Sequence, residues 1–169
     1  MKLLITGTPG VGKTTLAKQL AEATKIEHIE LTEFIKKHKL YEKYDKKFDT
    51  LIFDEDKVIQ HLNRYVEDKN SFIIDTHSPI VACDINFDVI FHLICSTRVL
   101  YDRLSMRNYS KDKIDENISS EIFNVIGEEL DELFETTIYR VNCTDQAIED
   151  ADLSRDEAFD LIVKSLSEN

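Results

Sequence analysis

The chain is short of the residues that break or staple a fold. It has 2 Pro, 4 Gly, no Trp and 3 Cys in 169 residues. So little Pro and Gly excludes collagen-like, linker-like and low-complexity chains, and no internal repeat is visible. Cys83, Cys95 and Cys143 are odd in number, far apart and without C-x-x-C spacing. That argues against a disulfide framework or a zinc site, and for small buried or half-buried thiols in a reducing intracellular compartment. No apolar run approaches the roughly 18 residues of a membrane helix. The stretch Leu3-Leu4-Ile5 is too brief for a secretory signal. No membrane partner is expected. The length suits one domain over 1–169.

A surplus of cations is missing too. Net charge is −12, and it is unevenly spread: 18 Lys and Arg face 17 Asp and Glu through Ile114, whereas from Asp115 onward 3 face 16. The sign disfavours direct readout of nucleic acid across that last third. A basic protein partner is compatible with it, and so is a solvated acidic face.

The glycines that do occur are concentrated. Residues 7 to 14 read Gly-Thr-Pro-Gly-Val-Gly-Lys-Thr, a complete G-x-x-x-x-G-K-T phosphate loop. An apolar run, Leu3 to Thr6, precedes it, and Thr15 to Ala21 follows with helix-forming composition. Strand, glycine-rich turn and helix in that order is the context the motif requires. Glycines let successive amides point at one anion, and the helix start adds its own N–H groups and dipole end. Lys13 is then the cation for the distal phosphates, and Thr14 the hydroxyl that coordinates Mg²⁺.

Beyond the loop, apolar runs and helical patterns alternate. Strands are expected near 2–6, 28–31, 72–75, 89–95 and 137–142. Helices are expected near 13–24, 54–68, 97–106, 114–134 and 154–166. In the long fourth one, Ile114, Ile118, Ile122, Ile126 and Leu130 form one apolar stripe at helical spacing. Alternation of this kind predicts right-handed βαβ units and a parallel sheet covered on both faces, with ligands at the carboxyl ends of its strands. Two segments interrupt it. Residues 36 to 47 carry six lysines against two acids, and Arg107 to Lys113 is a polar insertion. Both are candidate mobile segments that close over a substrate.

Ser71-Phe72-Ile73-Ile74-Asp75 is an apolar strand ending in a carboxylate, the element that completes a metal shell beside a phosphate loop. His77 follows two residues on and shares its side if the pleat continues. Arg103 and Arg107 are four apart, on one helix face, and are candidates to stabilise a transferring phosphoryl group. Arg98, at the start of that helix, reads as surface. No N/T-K-x-D guanine motif, H-R-D catalytic loop or acyl-transfer arrangement occurs. A small-molecule phosphotransferase and an ATPase remain.

These residues resemble the adenylate kinase isoenzyme 6 family, also called coilin-interacting nuclear ATPase. The likeness runs through the phosphate loop with Thr15, Leu40-Tyr41, Tyr44-Asp45, Asp54-Glu55-Asp56 and Asp75-x-His77. It continues in Leu100-Tyr101-x-Arg103-Leu104-x-x-Arg107-x-Tyr109, Asp115-x-Asn117-Ile118 and Glu121-Ile122-Phe123, over roughly the first 135 residues. The resemblance implies a three-layer α/β/α P-loop NTPase fold with a five-stranded parallel sheet, of the nucleoside monophosphate kinase type. It implies ATP + AMP ⇌ 2 ADP with ATP and Mg²⁺, an accompanying ATPase activity, and a role in small ribosomal subunit maturation. It further implies a soluble nuclear and cytoplasmic protein, expected to be a monomer, with a basic small-subunit ribosomal protein and pre-ribosomal particles as candidate partners. Gly10, Gly12, Lys13, Thr14, Thr15 and Arg107 take the ATP-contacting positions, and Asp75 and His77 the Walker B-like pair. Mg²⁺ is assigned to Thr14 and, through water, to Asp75. The acceptor segment maps to about 31–54 and the lid to about 106–116. Lys36, Asn108 and Gln146 depart from the family pattern. In the acidic third, Glu128, Glu129, Asp131, Glu132 and Glu135 are expected opposite the apolar stripe, available to a basic partner.

Overall fold

A computed structural model describes residues 1–46, 50–107 and 109–167. Lys47, at the end of the basic segment, and Asn108, in the expected lid, lie outside the described residues.

Strand β1 (Lys2–Thr6) is the centre of the molecule. It pairs in parallel with β5 (Phe72–Thr76) on one side and β6 (Val89–Ile94) on the other. Outside β5 lies β2 (His28–Glu30). Outside β6 lie β7 (Ile138–Asn142) and the two-residue β8 (Leu153–Ser154), giving the order β2-β5-β1-β6-β7-β8. The five expected strands are present. The sixth, β8, is too short to show a pattern of its own, and it forms because Ala151 and Asp152 turn back onto the β7 edge, where the Asp152 carboxylate takes the Arg140 N–H at 2.7 Å.

Pleating sends alternate residues to opposite faces. Leu3, Ile5, Phe91 and Leu93 pack under α1 (Lys13–Thr24), α4 (Thr97–Met106) and α7 (Arg155–Ser167). Leu4, Phe72, Ile74 and Ile90 pack on the other face, with α2 (Leu31–His38), α3 (Glu55–Val66) and α6 (Val125–Leu133). Every residue of β5 and β6 is buried, which is why those strands read as continuous apolar runs.

Two expectations are corrected. The long helix over 114–134 is two helices, α5 (Lys111–Ile122) and α6, with Asn124 between them in a left-handed conformation at φ 51°. The stripe breaks there: Ile122 and Phe123 are 61% and 70% exposed, while Ile114, Ile126 and Leu130 are buried. The segment after Glu30 is also more ordered than its composition suggests. It holds α2 and an antiparallel hairpin of β3 (Tyr41–Asp45) and β4 (Thr50–Phe53). Lys39 ends α2 in the left-handed region, its amide bonded back to Ile35 and Lys36. Among the described residues, no helix is long and apolar enough to cross a membrane.

Candidate active site

At the carboxyl ends of β1, β2 and β5 lies one cavity of about 710 Å³. The loop between β1 and α1 forms its floor. Gly7 has φ 143°, and a Cβ there would meet the Leu93 carbonyl at 2.4 Å, so the turn over β6 admits only glycine. Gly12 has φ 115°, and a Cβ there would meet nothing within 4 Å. Backbone conformation, rather than crowding, selects glycine at that point, and the space beside it is open to a ligand. The first turn of α1 adds N–H groups without intrahelical partners and the positive end of its dipole.

Lys13 is buried at the centre of the floor. Its Nζ donates to the Gly7 carbonyl at 2.8 Å and the Thr8 carbonyl at 3.2 Å. Burial pushes its pKa down to about 8, against the pull of Asp75. Thr14 and Thr15 line the cavity beside it. Asp75 reaches the same space from the end of β5 and is only 3% exposed. Its Oδ2 lies 3.4 Å from His28 Nε2, in a geometry that is not a hydrogen bond, so both buried atoms are left unsatisfied. A desolvated carboxylate oxygen without a donor, next to a hydroxyl on the phosphate floor, fits a hard cation or its water shell. His77 stands at the cavity wall with its side chain open to the cleft. Desolvation by the surrounding walls, and then the Lys13 charge, hold its pKa well below the ordinary histidine range. The imidazole is neutral at pH 7.

The structure separates the two arginines. Arg107 ends α4 and lines the cavity. Arg103 is not part of the lining. Its guanidinium lies beneath the phosphate loop, donating to the Val11 carbonyl at 3.0 Å, the Cys143 carbonyl at 3.0 Å and Cys95 Sγ at 3.7 Å. It ties the loop to the ends of β6 and β7. Arg98 is exposed, as expected.

From the other side come Glu30, Thr32 and Lys36 on or beside α2, and Leu51 and Phe53 on β4. Lys36 Nζ is held by Glu33 at 2.8 Å. Tyr109, Lys113 and Asn117, on or just before α5, close a further wall, with Lys113 Nζ over the Tyr109 ring at 3.9 Å. Two supporting residues had no assigned role in the sequence reading. His28 backs Asp75, and Glu121 of α5 accepts the Cys95 amide at 2.8 Å and bonds the Thr8 side chain. Glu121 lies 26 positions from Cys95, so only the fold brings them together. Of the five acids expected on the docking side of α6, Glu128, Asp131, Glu132 and Glu135 are exposed, whereas Glu129 is half-buried and faces the cavity. Cys83, Cys95 and Cys143 are free thiols, and burial raises the pKa of each.

Known proteins resemble this chain in sequence and fold. A family model described as an AAA domain matches residues 3–124. An adenylate kinase isoenzyme 6 homolog of Caenorhabditis elegans is 36% identical over 80% of this chain and 75% of its own length. Its counterpart in Plasmodium falciparum is 37% identical, over 80% and 81%. A putative adenylate kinase of Methanocaldococcus jannaschii is 38% identical, over 74% and 69%. The crystal structure of shikimate kinase from Bacteroides thetaiotaomicron aligns over 99% of this chain and 96% of that one, at TM-score 0.51 and 17% identity, a likeness of fold alone. With identity at this level over most of the length of both partners, the chain belongs to the adenylate kinase isoenzyme 6 family.

Proposed function

We propose that the protein is a nucleoside monophosphate kinase that transfers the γ-phosphoryl group of ATP to AMP. The observation that carries this reading is a cavity lined both by the phosphate floor with Lys13 and by residues of α2 and β4. The names of the relatives support it.

The phosphate loop amides and Lys13 bind the donor phosphates, and Lys13 exchanges the carbonyls of Gly7 and Thr8 for phosphate oxygens. Thr14 and Asp75 are the residues that would hold Mg²⁺, which when bound supplies charge neutralisation between the phosphates. Arg107 approaches the transferring group from the α4 end. Arg103 acts one step back, as a positioning residue that holds the loop carbonyls in register. The acceptor phosphate is already anionic at neutral pH, so no general base is needed. Alignment and charge compensation do the chemistry. The neutral His77 adds no positive charge at the wall and can orient the attacking group. The segments 31–54 and 106–116 serve as the acceptor-binding and lid elements, and their closure keeps water away from the phosphoryl group.

Water admitted to the same geometry yields an ATPase. A second reading therefore makes the protein a nuclear and cytoplasmic assembly factor in small ribosomal subunit maturation, whose ATP cycle gates a basic ribosomal protein. The acidic exposed side of α6 favours keeping it. One assay separates the two: ADP formation with AMP present, compared with phosphate release with and without a basic small-subunit protein. Transfer to AMP that exceeds hydrolysis supports the kinase. Hydrolysis that responds to the basic protein, with negligible transfer to AMP, supports the assembly factor.

A further inference from the structure

Part of the cavity lining is carbon, from Leu51 and Phe53 on β4 and from Val125 and Ile126 on α6. Leu51, Phe53 and Ile126 pack with the core on the α2, α3 and α6 face, whereas Val11 and Leu16 beside the phosphate floor pack in the other core. Of the lining residues that α6 supplies, Glu129 is the ionisable one. Glu129, one turn beyond Val125, lines the same cavity and is half-buried. Helix α6 packs on the 3-10 turn Pro79–Ala82, and so does α3. Among the described residues it has neither a hydrogen bond nor an ion pair. A half-buried carboxylate without a donor on the protein takes its hydrogen bonds from water, and a ligand that displaces that water must supply them instead.

The chemistry of that donor is constrained. Glu129 repels a phosphate, so it cannot serve the charged end of a nucleotide. Its desolvation, with Glu55 and Glu132 adding like charge, raises its pKa and marks this wall as drier than open surface. The phosphate of an acceptor belongs at the Lys13 end of the cavity, so its base extends toward the apolar end. There an ionised carboxylate accepts hydrogen bonds and cannot donate them.

We propose that Glu129 reads the base of the acceptor nucleotide, selecting monophosphates that present an exocyclic amino N–H, as adenine does, over those that present a carbonyl at the same edge, as hypoxanthine does. The assignment rests on the kinase reading above and identifies the side chain that sets its acceptor preference. A carbonyl set against Glu129 leaves two acceptors facing each other, and one unpaired buried group lowers kcat/KM by about ten- to hundredfold.

The test measures kcat/KM for AMP and for IMP at saturating ATP, first with the unaltered protein and then with Glu129→Gln and Glu129→Leu. The unaltered protein prefers AMP by about ten- to hundredfold. Gln can both donate and accept, so Glu129→Gln brings the AMP to IMP ratio close to unity. Glu129→Leu raises KM for AMP while KM for ATP and the melting temperature stay near their original values. An AMP to IMP ratio unchanged in Glu129→Gln overturns the proposal. Equal losses for both acceptors also overturn it, because they show contact with the ribose instead of the base. Failure of the unaltered protein to phosphorylate any monophosphate while it still binds ATP overturns the kinase reading itself, and the first measurement shows this before any variant is made.

Discussion

Lys13 in the free protein spends its donors on two carbonyls of its own loop, in a site that desolvates it. Two consequences follow at the residue scale. Its pKa of about 8 means the cation needed by the phosphates is lost as pH rises through that value. The pH profile of kcat/KM for ATP should therefore bend downward above about pH 8, where an exposed lysine would hold its charge to above about pH 10. A profile flat to pH 10 would contradict the burial argument. Replacing Lys13 by Ala removes the central cation and should lower transfer and hydrolysis alike, by at least about a hundredfold. A purified variant with ordinary turnover at saturating ATP would remove Lys13 from the site. His77→Ala should instead alter the ratio of hydrolysis to transfer more than it alters ATP affinity, since His77 lines the wall and not the floor. Equal loss of both activities would count against that role. The phosphate loop and the Asp75-x-His77 pair were legible because each is local in sequence. The work of Arg103 was not, because its partners Val11 and Cys143 lie 92 and 40 positions away. Helical spacing placed it on a face with Arg107, but spacing does not say which of two arginines turns inward.

The elements teach a different lesson. The apolar stripe of 114–134 keeps helical spacing across a joint that divides it into α5 and α6, so periodicity alone ran through the break. The local signal was Asn124, a residue type that tolerates the left-handed conformation it adopts. Asn124→Gly should then hold or raise the melting temperature, while Asn124→Ala should cost about 1 kcal/mol, read by denaturant unfolding. Equal stability of the two variants would mean the joint is not fixed by that residue. Strand β6 carries a second testable feature in His92, which is 4% exposed on an inner strand, between Thr6 of β1 and Arg140 of β7. Burial, and then the Arg140 charge, push its pKa down to about 4. The folded state refuses a proton that the unfolded chain accepts near its ordinary 6.5. The contribution to stability is thus complete above about pH 6.5 and is lost as pH falls from there toward 4, by up to about 3 kcal/mol. His92→Leu should flatten that acid limb in unfolding experiments, and an unchanged slope between pH 6.5 and 4.5 would contradict the assignment. The hairpin β3–β4 was missed because its first strand, Tyr41 to Asp45, carries three charged residues of both signs and is largely exposed, and only Leu51 to Phe53 of the second are apolar. A solvated two-stranded ribbon leaves little alternation to read.

At the scale of the molecule, a parallel sheet covered on both faces, with its site at the strand ends, follows from alternating apolar runs and helices and was legible, whereas the strand order and the sixth strand were not. The acidic third is a feature of whole-chain charge. Glu128, Asp131 and Glu132 are exposed on α6, so reversing all three to Lys should slow association with a basic protein and weaken its salt dependence, with turnover on free AMP unchanged. Partner binding that ignores both salt and the reversals would leave the acids as a solubility feature. The central claim is that one cavity holds two nucleotides on either side of Lys13. It is tested most directly by the binding of two adenosines joined through five phosphates, since linking the ligands makes the second contact intramolecular. The account predicts competition against both ATP and AMP, with affinity at least about tenfold above that of either nucleotide alone. Competition against ATP only, at an affinity no better than that of ATP, would show a one-nucleotide site and contradict it.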